Sequence, residues 1–183
     1  RNSILGYWLA KGDFGIAASL TLMLQLIEMT TDLGVDRLIL QAKNGDEPHV
    51  VATAHAMLIA RGLLTALALY LSAVLVTRFF GIGEAQWAFE LIALAPLIKG
   101  FLHLDARRAQ RRLDNRPMLA IEVVPQAAAL LLTIPAILVT GGYGAVAWIA
   151  ITQAAITVAV SHGLAERRYA VTIDRDVAWR LIE

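Results

Sequence analysis

The sequence predicts an all-α fold: a polytopic transmembrane helix bundle of about five full spans, with the remnant of an earlier helix at its N-terminal end. Three observations predict it. The 183 residues are 58% hydrophobic and have a mean hydropathy of +0.62. Only 17% of them are charged, against about a quarter in soluble domains. Five stretches reach the roughly 20 mostly apolar residues that a bilayer crossing requires.

Taken in order, Ile4–Ala10 (ILGYWLA) reads as the end of a truncated helix, and the chain starts at Arg1 rather than Met, so it is expected to be a fragment. The spans then fall at Phe14–Gly34, within Val51–Phe80, at Gln86–Leu104, at Pro117–Thr140 and at Ala145–Ala165. Between them, KGD, KNGDEP, GIGE and TGGYG carry turn chemistry. Pro96 is expected to kink the third span, and Pro125 and Pro135 to interrupt the fourth. No long linker divides the chain, so residues 1–183 read as a single membrane domain. The stretch Leu164–Glu183 is expected to be a partly amphipathic segment, with Val171, Val177, Trp179 and Leu181 against the membrane and Arg175 and Arg180 at lipid phosphates; the alternative is a solvated linker.

The basic residues alternate. Val35–Val50 holds Arg37 and Lys43, Gly81–Ala85 holds none, and Asp105–Arg116 holds five arginines. Gly141–Gly144 again holds none, and four arginines follow Glu166. This is the positive-inside pattern. It assigns KNGDEP, the arginine stretch and the tail to the cytoplasm, and KGD, GIGE and GGYG to the other side. A net charge of +1 and a pI near 8.3 speak against a nucleic-acid binder, whose pI usually exceeds about 9. Nucleic acid is not an expected partner; membrane lipid is.

Ionisable residues inside a span are costly and point to function. Thr21, Gln25, Glu28 and Asp32 share one face of the first span through spacings of four, three and four. Arg61 and Thr65 share a face of the second, beside Gly62. Lys99 and His103 are four apart in the third. Glu122, Gln126 and Thr133 mark the fourth, and Gln153, Thr157 and Ser161 the fifth. A polar stripe on every helix predicts either a hydrated interior cavity or polar side chains that hold the helices together. Arg61 and Lys99 are the deep cations, and Glu28 is a suitable partner. There is no P-loop, no HExxH and no nucleophile elbow, and no cysteine for a thiolate site. Neither an enzyme, a cofactor nor a metal site is expected.

Four motifs extend this reading. They are AKGDFGI at Ala10–Ile16, DLGVDRLILQ at Asp32–Gln41, ARRAQRRLDNRPMLAIE at Ala106–Glu122 and GGYGAVAW at Gly141–Trp148. In this order they resemble segments of bacterial polysaccharide flippases of the multidrug/oligosaccharidyl-lipid/polysaccharide exporter superfamily. The family more often has proline where this chain has Gly12, and often tryptophan where it has Gly144. The resemblance implies a larger protein of two lobes in the bacterial inner membrane, with this chain forming most of the N-terminal lobe. It implies alternating access and transfer of a lipid-linked oligosaccharide with a pyrophosphate headgroup. Arg61, Lys99 and His103 are then candidates for substrate binding, and Glu28 and Asp32 for a coupling proton or sodium ion. The alternatives are a drug or cation antiporter of the same superfamily, a membrane-embedded glycosyltransferase, and a structural membrane subunit.

Overall fold

A computed structural model describes residues 10–31, 34–35, 39–40, 44–140, 142–174 and 177. The predicted helix remnant at Ile4–Ala10 lies outside the described residues except for Ala10. All regular structure among the described residues is helical, as the composition predicts.

Helix α1 spans Lys11–Thr30 and so begins earlier than the predicted Phe14. The KGD sequence is its first turn rather than a connector, because Asp13 sits well against the positive end of the helix dipole. Its hydroxyls bond back along the helix: Ser19 Oγ donates to Gly15 O at 3.0 Å and Thr21 Oγ1 to Ala17 O at 2.9 Å. That spares them an unsatisfied donor in hydrocarbon.

Helix α2 spans Pro48–Phe79, with proline in the first turn, where its missing N–H is harmless. Its 32 residues rise about 48 Å, well beyond the roughly 30 Å hydrocarbon core. The surplus is the buried N-terminal part, where Val50, Ala52, Thr53, Ala54 and His55 are covered by protein. Further along, Leu63, Leu67, Leu71 and Leu75 form an exposed apolar stripe, the face expected towards lipid. Gly81, at φ +67°, ends the helix in the left-handed conformation that favours glycine.

The predicted third span is not one helix. It consists of α3, Gln86–Ile92, and α4, Leu94–Lys99, which together rise only about 20 Å. At the join, Ala93 N–H donates to Glu90 O at 3.3 Å, a tighter turn than the α-helix, and Pro96 brings no N–H with which to restore the regular ladder. The chain then leaves the helix at Gly100.

The arginine stretch is also more structured than a loop. Helix α5 spans Asp105–Arg111, and Leu113 makes the turn after it at φ 64°. Helix α6, Arg116–Thr140, and α7, Gly144–Gly163, complete the bundle and pack most extensively on each other. Four helices, α1, α2, α6 and α7, are each long and apolar enough to cross a membrane.

At the turn into α7 the backbone runs close to its neighbours. A Cβ on Gly142 would lie 2.8 Å from Asp13 Oδ2, and one on Gly144 would lie 2.5 Å from the Trp87 ring. A larger side chain at position 144 has no room here, because Trp87 of α3 fills that volume.

The end of the bundle that carries α5 is held by a clasp. Arg108 is 2% exposed. Its Nε meets Asp46 Oδ1 at 2.5 Å, and its Nη1 pairs with Asp105. Asp105 Oδ2 accepts the Glu166 and Arg167 backbone N–H groups at 2.6 and 3.1 Å. The segment after α7 therefore lies along the bundle. It continues with Thr172 N–H to Ala52 O and Asp174 N–H to Thr53 Oγ1, both at 3.3 Å. This corrects the expected amphipathic membrane-surface segment: residues 165–174 are non-helical, Val171 is exposed and Val177 is buried in the core beneath α2. The calls on Arg175, Trp179, Arg180 and Leu181 lie outside the described residues.

The clasp gives the fold an acid-sensitive point. Burial pushes the Asp105 carboxyl up, but the N–H groups of Glu166 and Arg167 and the Arg108 guanidinium outweigh it and hold the group below its ordinary range. The Arg108 hydrogen bond lowers Asp46 in the same direction. A carboxyl whose folded pKa is lowered stabilises the protein fully above its unfolded value, near 3.8 here, and that contribution is lost as pH falls through the folded value. The thermal midpoint of the wild type in detergent is therefore expected to drop as pH falls below about 4. Asp105→Asn should start lower and show a shallower dependence; identical slopes for the two proteins would contradict the clasp.

Candidate functional site

Glycine brings the charged residues together. Where α2 crosses α4, a Cβ on Gly62 would lie 2.7 Å from Pro96 O and 3.0 Å from Gly100 Cα. A Cβ on Gly100 would lie 3.1 Å from Leu58 O. The two backbones are thus in contact, as they are where small residues line membrane helix crossings. The residues next to these glycines in sequence are Arg61 and Lys99, so the crossing sets the two cations beside each other. From the third side, α1 contributes Glu28.

Lys99 Nζ donates to Glu28 Oε1 at 2.8 Å, and Arg61 Nη2 donates to the Glu28 backbone carbonyl at 3.2 Å. Below them, Thr31 and Thr65 join α1 to α2 through a hydroxyl–hydroxyl bond of 2.8 Å. Two adjoining cavities flank the Glu28–Lys99 pair. One, of about 150 Å³, is lined by Glu28, Arg61, Thr65, Pro96 and Lys99. The other, of about 220 Å³, is lined by Thr21, Gln25, Glu28, Lys99, Gln126 and Gln153. Glu28 and Lys99 belong to both and form the partition between them.

The structure therefore places Glu28, Arg61 and Lys99, each from a different helix, at one site. Asp32 lies outside the described residues. His103 is elsewhere, because the helix that would have set it one turn beyond Lys99 ends at Gly100. It is 3% exposed and belongs to a packing cluster with His55, His162 and Tyr169. Its Nδ1 accepts the Asp105 N–H at 3.1 Å, so its Nε2 carries the proton and donates to Arg167 O at 3.1 Å. His55 is held in the same way: Nε2 accepts the Leu104 N–H at 3.1 Å and Nδ1 donates to Ala170 O at 2.9 Å. Both rings are neutral ties between α2, the turn after α4 and the segment after α7. This corrects the assignment of His103 to the substrate site.

Sequence reading overlooked His55 and the clasp pair Asp46–Arg108. A histidine four residues after the Val51 start of a predicted span was a usable sign that this end of α2 is buried in protein. Asp46 and Arg108 stand 62 residues apart, and neither spacing nor composition links them. Of the other span polars, Glu90 accepts a hydrogen bond from Gln86 within α3 at 2.7 Å, and Glu122 is exposed on α6.

Four apolar helices of bilayer-spanning length, with charged side chains gathered where they cross, define a polytopic membrane protein. The family described as "polysaccharide biosynthesis protein" matches residues 4–183, and the chain belongs to that family. No curated protein and no solved structure matches it.

Proposed function

We propose that the chain is part of a transporter, not an enzyme, that moves a lipid-linked oligosaccharide across the bacterial inner membrane by alternating access, and that Arg61 and Lys99 receive its pyrophosphate headgroup. The observation that carries this reading is the convergence of two cations, Arg61 and Lys99, on the paired cavities, beside the one carboxylate that lines them among the described residues, Glu28. A guanidinium and an ammonium group on one cavity wall suit an anionic cargo better than a cationic drug. A planar guanidinium matches phosphate oxygens in a bidentate fork, and Lys99 adds a mobile point charge.

The Glu28–Lys99 pair supplies a coupling route. As the headgroup draws Lys99 away, Glu28 is left to take up a proton or a sodium ion, with Asp32, four residues later in the sequence, as a second candidate. The test is polysaccharide export by the full-length protein in cells. Arg61→Ala should lower export about tenfold to a hundredfold, the range expected for losing a charged hydrogen bond, at unchanged membrane abundance. Arg61→Lys should rescue it in part, because charge returns without the fork. Wild-type export by Arg61→Ala would overturn the assignment.

The orientation follows from the alternating basic segments, with residues 105–116 and the tail in the cytoplasm. Cysteine placed at the exposed Glu84 should react with an impermeant thiol reagent in intact cells, and cysteine at the exposed Asn115 should not. The reverse pattern would invert the topology.

A further inference from the structure

The turn between α5 and α6 carries leucine where the backbone favours glycine. Helix α5 ends in a Schellman arrangement: Asp114 N–H donates to Ala109 O at 3.1 Å and Leu113 N–H to Gln110 O at 3.0 Å. The residue at the centre of such a turn takes the left-handed conformation, and Leu113 does so at φ 64°. A Cβ there crowds the carbonyl that follows, which is why glycine or asparagine is usual. Packing within the protein does not offset that strain, because Leu113 is 90% exposed. An exposed leucine alone is ordinary. This one stands in a conformation that disfavours it, three residues before α6 begins, and between arginines.

The surroundings point to what meets it. Helix α6, one of the four able to cross a membrane, starts at Arg116, so Leu113 stands at the level where that helix enters the bilayer. Leu119, in the first turn of α6, is 57% exposed and continues the apolar surface inward. Arg112 and Arg116 flank Leu113, and both are exposed. Arg112 reaches Asp46 and Glu166 only at 3.9 and 3.8 Å, and Asp46 is already bonded to Arg108 at 2.5 Å. The carboxylate of the turn itself, Asp114, accepts the Arg116 backbone N–H at 3.1 Å. We infer that this turn is an anchor for anionic phospholipid: Leu113 sits among the first acyl carbons while Arg112 and Arg116 hold headgroup phosphates. An apolar residue between long cationic side chains suits the boundary between headgroups and acyl chains. A guanidinium takes phosphate oxygens in a bidentate fork, and the negative potential of an anionic leaflet adds to the attraction. On the topology proposed above that leaflet is the cytoplasmic one; the anchor itself does not depend on what the chain transports. Fixing this turn holds the end of α5, and with it the Arg108 clasp, at the membrane surface.

The chain has no cysteine, so one introduced cysteine takes a fluorescent label uniquely. The full chain with Asn115→Cys, labelled beside Leu113, is placed in nanodiscs of equal parts phosphatidylcholine and phosphatidylglycerol, with one of the two lipids brominated on its acyl chains at a time. Brominated lipid should quench this label and iodide in the buffer should not. A label on Glu47→Cys, exposed just before the protruding end of α2, should show the reverse. Brominated phosphatidylglycerol should associate at Asn115 at least about fivefold more tightly than brominated phosphatidylcholine, the attraction expected of one arginine near an anionic surface. Arg112→Gln/Arg116→Gln should bring the two lipids to parity. Leu113→Gly keeps the turn, because glycine suits the left-handed position, and should lose most of the lipid quenching and gain iodide quenching. Inorganic phosphate at matched ionic strength should leave the lipid preference unchanged. The anchor is overturned by iodide quenching at Asn115 equal to that at Glu47, by a phosphatidylglycerol preference that survives the double glutamine variant, or by an unaltered label in Leu113→Gly. Loss of the preference to inorganic phosphate would make the turn a site for free phosphate and overturn it equally.

Discussion

Gly62→Leu is expected to abolish export and to lower membrane abundance sharply. The group in its way is backbone: a Cβ alone would already lie 2.7 Å from Pro96 O and 3.0 Å from Gly100 Cα. No rotamer change relieves such a contact, so α2 and α4 must separate, and Arg61 moves away from Lys99 and Glu28. A graded series makes the prediction sharper. Gly62→Ala gains about 1 kcal/mol of helix propensity but must shift backbone, an overpacking cost of about 1–3 kcal/mol, so it should be moderately destabilised. Gly100→Ala, whose nearest contacts would be 3.1 Å, should be the mildest. Thermal midpoints in nanodiscs should therefore fall in the order Gly100→Ala, Gly62→Ala, Gly62→Leu. A Gly62→Ala protein with wild-type midpoint and export would show that the crossing does not position the site.

The glycine crossing also marks what was legible beforehand. Apolar runs of about 20 residues located α1, α2, α6 and α7, because a span must bury its backbone in its own hydrogen bonds and so announces itself by length. The third run misled because hydropathy does not report helix continuity; the turn at Ala93 and the exit at Gly100 are set by packing against α2. Glycine directly after Lys99 was a stop signal in plain view, and heeding it would have removed His103 from the Lys99 face. The meeting of Glu28, Arg61 and Lys99 was legible as a need, since each charge within a span requires a partner or water. Which charges meet depends on helix rotation and on the Gly62–Gly100 contact between distant parts of the chain. Gln25, Gln126 and Gln153 were visible as span polars, but that they line one cavity follows from helix rotation, which only coordinates provide. The buried arginine of the clasp was the least legible of all, because a run of five arginines reads as solvated charge.

The Glu28–Lys99 pair is expected to show strong rescue of stability without rescue of transport. Glu28→Gln leaves Lys99 without its 2.8 Å counter-charge, and Lys99→Met leaves Glu28 without its own. A lone charge at the centre of a span costs about 2.5–3.5 kcal/mol even on the lenient insertion scale. Glu28 stands in the last turn of α1 and Lys99 ends the short α4, and their side chains are 27% and 44% exposed, so water lowers that figure, and a loss of about 1–2 kcal/mol for each single variant is the reasonable expectation. The Glu28→Gln/Lys99→Met double variant carries no lone charge and should recover most of the lost abundance, as neutral replacements of buried pairs commonly do. Export should stay low in the double variant, because the cation that meets the headgroup and the carboxylate that answers it are both gone. Lys99→Arg, which keeps charge and reach, should retain substantial export. Abundance and export measured together on the four proteins separate the two roles: a double variant that recovers abundance and export alike would make the pair purely structural, leaving the headgroup to Arg61 alone.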